Sequence, residues 1–470
     1  MSFLDSVKKA HVIGAGGIGV SAVARLLLHE GKIVSGSDAV RNETVDELNA
    51  AGIVVTVGHD SSHLPPDADV VIFSDAVPPT NPERHEARRL GIREMSYFEF
   101  LGEFSKDRWT IAVSGTNGKS TTTALLGLML ERGGLEPTVI VGSKVPTFAH
   151  KNLRIGRSKF FVVEADEYNA HMLQLSPQMI VLTNIEEDHL DFYRDLAHIR
   201  DTFREYVQNL PPDGQLILNA DDHVCFYELA PKVPFVTYAM DNPADYAARH
   251  VSVTSGMQAF QIVRTRGGLE TALADCAMRL PGRFNVMNAL AAATAALELG
   301  VSPDAVVATL REFTGIWRRF ESVGEYHGAT LISDYGHHPT AVRGTIDAVR
   351  SFFPGRRVVL AFQPHHRNRT RKLFDEFVAS FDGADVLVLS EVYDVAGRED
   401  DADANVSSRD LVAATKARDA ERVVEREVLF GGTVAETQKR LEHLIKPGDA
   451  VVLMGAGDLY VIAKKLTGGS

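Results

Sequence analysis

Cysteine is nearly absent from this chain, with two residues, Cys225 and Cys276, among 470. Their isolation excludes a disulfide framework and a cysteine-built metal centre, and it fits a reducing compartment. No uninterrupted apolar run nears the ~18 residues that span a bilayer. Residues 1–10 mix polar and charged side chains and lack the apolar core of a signal peptide. The expectation is a cytoplasmic chain with no membrane partner. A basic tail is missing too, and the net charge is −13. Nucleic acid is therefore not expected as a partner, and any pull on an anionic ligand must be local. Local basic clusters exist at Arg318-Arg319 and through His365-His366-Arg367-Asn368-Arg369. Repeats of 20–50 residues and long low-complexity tracts are also lacking.

What is present is an ordinary globular composition, 45% hydrophobic and 24% charged. The chain is too long for one core, and roughly two to four domains are expected. Three α/β blocks can be separated, at 1–105, 106–316 and 317–470. Short apolar strands alternate with helices in each, which predicts parallel sheets with right-handed crossovers. In the first block strands are expected near 10–13, 33–38, 53–57 and 70–74, with a helix around 20–30. The second carries strands at 160–164 and 179–184, a β-rich stretch over 240–280, and helices at 285–299 and 303–313. The third has strands at 329–333, 357–362, 385–390 and 450–454. Residues 397–406 are acidic and polar and read as a loop.

The most informative stretch is Trp109-Thr-Ile-Ala-Val-Ser-Gly-Thr-Asn-Gly-Lys-Ser-Thr-Thr-Thr123. An apolar strand runs into a small-residue loop and then into a helix. A triphosphate needs backbone N–H groups that converge, an ammonium, a hydroxyl for Mg²⁺ and a helix N-terminus. Gly115, Thr116, Asn117, Gly118, Lys119, Ser120 and Thr121 supply these, and ATP is the expected ligand. The departure from the usual G-x-x-x-x-G-K-[ST] spacing is Val113, where glycine is the rule.

Other motifs sit at strand ends. Gly14-Ala-Gly16-Gly17-Ile18-Gly19 matches G-x-G-x-x-G, and Asp38 ends the next strand. It reads either as a bare tight turn or as a site for a nucleotide diphosphate. Glu164-Ala-Asp166-Glu167 follows one apolar strand and Asn184-Ile-Glu-Glu-Asp188-His189 the next. Glu164 with the Ser120 hydroxyl suits a first Mg²⁺, and His189 a second. Taken alone, Asp188-His189 is more often a solvated helix cap than a ligand, and its position after a second strand in a phosphate-loop domain reverses that preference. Asn285 and Asn288, three apart on a helix face, read as caps or as readers of an adenine edge. The histidines at 337, 338, 365 and 366 lack the His-x₃-His spacing of one helical face. Zinc is the weaker reading; contacts to anions and substrate fit better, with arginines clamping phosphate or carboxylate.

These motifs in this order resemble the Mur ligases, ATP-dependent amino-acid ligases of peptidoglycan synthesis, over nearly the whole length. The most specific are Ser35-Gly-Ser37-Asp38 with Ser74-Asp-Ala-Val77, Thr183-Asn-Ile-Glu-Glu-Asp-His-Leu-Asp191, Asp334-Tyr-Gly-His-His-Pro-Thr340 and Phe362-Gln-Pro-His365. The resemblance implies a Rossmann-like first domain, a P-loop ATPase-like middle domain and a Rossmann-like third. It implies that Gly14, Gly16, Gly17, Ile18, Gly19, Ser37, Asp38 and Ser74 bind the UDP of UDP-N-acetylmuramate. Lys119 and Ser120 meet ATP phosphate and the first of two Mg²⁺ ions, Glu164 that ion, and His189 the second. Asn285 and Asn288 match adenine contacts, while Arg319 and Asp334 touch ATP phosphate and ribose. Tyr335, His337, His366 and Arg369 face the amino acid, expected to be L-alanine. Lys119, His189, Arg319 and His337 are the expected catalytic set.

The departures are Phe284 at a usual histidine, the loop Thr116-Asn117-Gly118-Lys119-Ser120, which looks more like that of later-acting members, and His366 at a usual arginine with Arg367 as a neighbour able to compensate. The absence of lysine from Ile199–Arg204, by contrast, is unlike those later-acting members. Within the family a tripeptide-recycling murein ligase is the nearest alternative. An NAD(P)-dependent oxidoreductase using the Gly14–Gly19 turn is a third reading, which leaves the phosphate loop unexplained. Either a monomer or a homodimer is expected.

Overall fold

A computed structural model describes residues 3–189, 192–229, 233–254, 256–394 and 405–468. Most of the acidic 397–406 segment, and Asp191 of the second strand-end motif, lie outside the described residues. Among the described residues the strands form three sheets, one in each expected block.

The first sheet holds five parallel strands in the spatial order Val54–Val57, Ile33–Asp38, Lys9–Ile13, Val70–Phe73 and Arg93–Ser96. The order reverses direction beside Lys9–Ile13, where open α/β sheets place their ligands. The second sheet has ten strands. Its parallel centre pairs Trp109–Ser114 with Phe160–Glu164 on one side and Met179–Leu182 on the other. The β-rich stretch is an antiparallel extension of that sheet, built from Tyr246–Thr254, Met257–Arg266 and Leu269–Met278. The third sheet has six strands, with Ala329–Asp334, Ala450–Met454, Val358–Phe362 and Val386–Ser390 adjacent and parallel. Glu321–Tyr326 lies antiparallel at its edge.

The central strands are apolar from end to end because helices cover both faces. Ile111, Val113, Val162, Val181, Val359 and Val452 are fully buried. The helices obey local rules. Ser96 and Glu99 form a capping box on Tyr97–Lys106, and Asn81 caps Pro82–Leu90, which ends at left-handed Gly91. The alanine-rich helix Arg283–Glu298 packs beside the phosphate-loop helix Lys119–Arg132, and Ala289, Ala292, Ala293 and Ala296 are wholly buried. No described helix is long and apolar enough to cross a membrane.

Candidate active site

The strand Trp109–Ser114 ends at a loop whose glycines are sterically required. Gly115 has φ +130°, and a Cβ there would lie 2.2 Å from Thr183 Oγ1. Gly118 has φ +89°, and its Cβ would lie 2.1 Å from Asn288 Oδ1. Val113 needs no such freedom, because it is an ordinary strand residue in register with Val181 and Glu164. The loop rests on the next strand's end. Thr116 N–H donates to the Asn184 carbonyl at 2.9 Å, and Asn117 N–H to Asn184 Oδ1 at 2.9 Å. Lys119 Nζ donates to the carbonyls of Gly115 and Thr116 and lies 2.6 Å from Glu167 Oε2. Burial pulls its ammonium down, but Glu167 and Asp166 outweigh that and raise its pKa.

Ser120 Oγ donates to Glu164 Oε1 at 2.9 Å, and Glu164 Oε2 accepts Gly142 N–H at 2.7 Å. Behind them, donor atoms of Asp166, Glu167 and His189 all lie within 4.8 Å of one another. His189 Nε2 is 3.4 Å from Glu167 Oε1. The two groups, hydroxyl plus carboxylate and paired carboxylates plus imidazole, fit a hard divalent cation such as Mg²⁺ in donor chemistry. Asp166 and Glu167 belong to the strand-end motif named from the sequence, which gave a metal role to Glu164 alone. Their signal was an acidic pair two and three residues beyond Glu164. The helix-cap reading of Asp188 fails, because the next helix is Leu196–Val207 and its cap is Asp195.

The third domain meets this edge through Asp188. Arg369 Nε and Nη2 donate to Asp188 Oδ1 at 2.9 and 2.7 Å, and His337 Nε2 is 3.7 Å from Oδ2. Burial opposes the Asp188 charge, but Arg369, His189 and His337 hold its pKa well below the usual range. Burial and the Arg369 charge push His337 down to about 4. Tyr335 stands edge-on to His337 and lies under the Arg319 guanidinium at 4.8 Å. Thus His337 and Arg369 share one carboxylate, and Arg369 is committed to Asp188 where the sequence suggested an open amino-acid contact. His366 is buried with φ +70° at the start of the short helix Arg367–Lys372. Arg367 donates to Asp394 at 3.1 Å and to the Val406 carbonyl at 2.9 Å.

Between the second and third sheets lies a cavity of about 520 Å³ lined by Gly118, Phe284, Asn285, Asn288, Arg319 and Asp334 among others. Gly282, not an asparagine, occupies the cap of the helix, so the capping alternative for Asn285 and Asn288 falls away. Asn285 Nδ2 instead donates to the Pro281 carbonyl at 2.8 Å. Asp334 accepts N–H bonds from Phe320 and Gly336 at 2.8 and 2.6 Å. Its neighbour Arg318, unlike Arg319, is buried and donates to the carbonyls of Gly455 and Gly457.

The N-terminal turn is built as its motif requires. Gly14 has φ +78° and donates its N–H to the Ser37 carbonyl, while Gly16 N–H donates to Asp38 Oδ2 at 2.8 Å. A Cβ at Gly16 would lie 2.6 Å from Asn42 Nδ2, and one at Gly19 2.9 Å from the Tyr97 ring. Ile18 opens the helix with Gly17 at its cap, and Ser74 packs beside Gly14. Ser37 departs from the expected ligand contact. Its hydroxyl is buried and donates to Glu83 Oε1 at 2.8 Å, because strand alternation turns it inward. Glu83 also holds His11 and His59.

Comparison with known proteins agrees with this layout. The description "Mur ligase family, catalytic domain" matches residues 9–109, "Mur ligase middle domain" matches 113–296, and "Mur ligase, glutamate ligase domain" matches 318–457. The chain belongs to the Mur ligase family. A Salinibacter ruber relative named UDP-N-acetylmuramate–L-alanine ligase is 40% identical, over 97% of this chain and 94% of the relative. A Geobacter sulfurreducens relative of the same name is 38% identical over 97% and 96%. The crystal structure of the UDP-N-acetylmuramate-alanine ligase MurC of Thermotoga maritima superposes with TM-score 0.80 at 27% identity, covering 98% of both chains. A murein peptide ligase from Psychrobacter arcticus gives 0.69 at 25% identity, again over 98% of both. Membership of this family sets the oxidoreductase reading aside.

Proposed function

We propose that the chain joins L-alanine to the carboxylate of UDP-N-acetylmuramate at the expense of ATP, in cytoplasmic synthesis of peptidoglycan precursors. The observation that carries this is the meeting, at one edge of the central sheet, of Lys119, the Glu164–Glu167 carboxylates and the Arg369–His337 pair of the third domain. Residues 1–105 would take the sugar nucleotide at the Gly14–Gly19 turn, 106–316 ATP, and 317–470 the amino acid. The adenine would sit in the cavity beside Asn285, Asn288 and Phe284, with Arg319 and Asp334 at phosphate and ribose.

The substrate carboxylate oxygen attacks the γ-phosphorus, and the bond to the bridging oxygen of ADP breaks. The resulting acyl phosphate accepts the alanine amine at its carbonyl carbon, and the tetrahedral intermediate expels phosphate as the amide forms. Lys119 offsets charge on the transferred phosphoryl group, and the helix Lys119–Arg132 presents its N-terminus there. Ser120 with Glu164, and His189 with Glu167, would hold Mg²⁺ ions. Bound there, those cations neutralise phosphate charge. His337 is neutral at pH 7, so it faces Asp188 without setting a positive charge against the incoming amine, and the proton that the amine sheds leaves with the phosphate. Closure of the third domain excludes water from the acyl phosphate.

ADP release is the direct test, assayed with UDP-N-acetylmuramate and alanine, glycine or serine in turn. Turnover should require the sugar nucleotide and favour alanine, by a margin of about 1–3 kcal/mol for a methyl-sized difference. Turnover with L-alanyl-γ-D-glutamyl-meso-diaminopimelate and not with alanine would instead establish the recycling ligase.

A further inference from the structure

We propose that Asp188 is a positioning residue that docks the amino-acid side of the site onto its phosphate side; this rests on the ligase reading above. Asp188 lies on the loop after Met179–Leu182, and Arg369 lies 181 residues away in the third domain. Both are buried, at 5% and 9% exposure. The guanidinium meets Oδ1 through two N–H groups, and the same oxygen accepts His189 N–H at 2.7 Å. The other oxygen faces His337. A buried ion pair adds little net stability, because desolvation offsets the Coulomb gain. Holding two domains in one register is the use that remains.

The loop that carries Asp188 is also the support of the phosphate loop. Asn184 accepts N–H bonds from Thr116 and Asn117, and Glu186 N–H donates to Thr116 Oγ1 at 2.9 Å. A second histidine reinforces the seam, as His338 Nε2 lies 3.1 Å from the Glu187 carbonyl. Lys119 and Arg369 are therefore referenced to one short segment. Without the Asp188 charge, Arg369 and His337 lose that reference while the ATP loop keeps its own. The acyl phosphate would then wait longer for the amine. Water attacks its carbonyl carbon in that interval, the bond to the phosphate oxygen breaks, and the original carboxylate and inorganic phosphate result.

The experiment measures phosphate released and amide formed by parent and Asp188→Asn, with KM for alanine and for ATP. Parent enzyme should release about one phosphate per amide. Asp188→Asn should raise that ratio at least about threefold and the KM for alanine about tenfold, with the KM for ATP within about twofold. An unchanged ratio with an unchanged alanine KM overturns the inference and leaves the ligase reading intact. Absence of alanine-dependent turnover in the parent overturns the ligase reading itself. Should Asp188→Asn not fold, Arg369→Lys decides, since it keeps the charge but loses the two-pronged contact. The same uncoupling is expected there, and tight coupling overturns the inference.

Discussion

Lys119 Nζ lies 2.6 Å from Glu167 Oε2, which ties the phosphate loop to the end of the neighbouring strand. Glu167 is 2% exposed, and its other oxygen faces His189 at 3.4 Å. One carboxylate thus stands between the lysine and the imidazole assigned to phosphate chemistry.

Lys119→Ala should remove ligation while the protein still folds. Its charge acts where phosphoryl charge develops, and such a contact is worth about 3 kcal/mol or more. Steady-state kinetics alongside circular dichroism check this. Turnover within about tenfold of the parent defeats the phosphate-loop assignment.

Glu164→Gln and His189→Ala should lower activity at limiting Mg²⁺ and recover part of it when Mg²⁺ is raised. Mass action offsets a weakened ion site. Titrating Mg²⁺ against rate for both variants gives the answer, and superimposable dependences would show that neither residue holds the ion.

Gly118→Ala should both destabilise and inactivate. The new methyl would meet Asn288 Oδ1 at 2.1 Å, and φ is +89°. A left-handed backbone at a non-glycine residue costs of order 1–3 kcal/mol before the clash is counted. Urea denaturation of the variant should show the loss, whereas Gly134→Ala, with an open Cβ position but φ +80°, should show the backbone part alone.

His337 makes stability pH-dependent in a stated direction. Its folded pKa of about 4 lies below the usual 6.5, with burial and Arg369 lowering it and Asp188 opposing them. Above 6.5 neither state binds the proton, so the residue contributes no pH dependence. Between 6.5 and 4 the unfolded chain binds it and the folded chain does not, and stability falls as pH drops. The parent should therefore lose more stability than His337→Gln between pH 7 and pH 5, read by urea unfolding at each pH. Equal losses would place the titration elsewhere.

The phosphate loop was legible because its demands are local. Gly115 and Gly118 need positive φ, the following helix needs a start, and consecutive residues meet each need. The alternating strands and helices were legible for the same reason, and their observed bounds lie within a few residues of those expected. The seam between domains was not. Nothing in the spacing of Phe362-Gln-Pro-His365 says that Arg369 will close on Asp188, or that Arg367 will turn towards Asp394.

Sequence alone thus determined the fold class, the glycine turns and the residue types gathered at strand ends, since those follow from dihedral preference and periodicity. Tertiary structure decided which charged groups pair. Ser37 turns inward to Glu83 because its face of the first sheet is covered, 46 residues away in the chain. Asp188 receives Arg369 because the order of strands in two sheets brings their carboxyl ends to one edge. Pairings of that kind depend on distances between elements that no local pattern encodes.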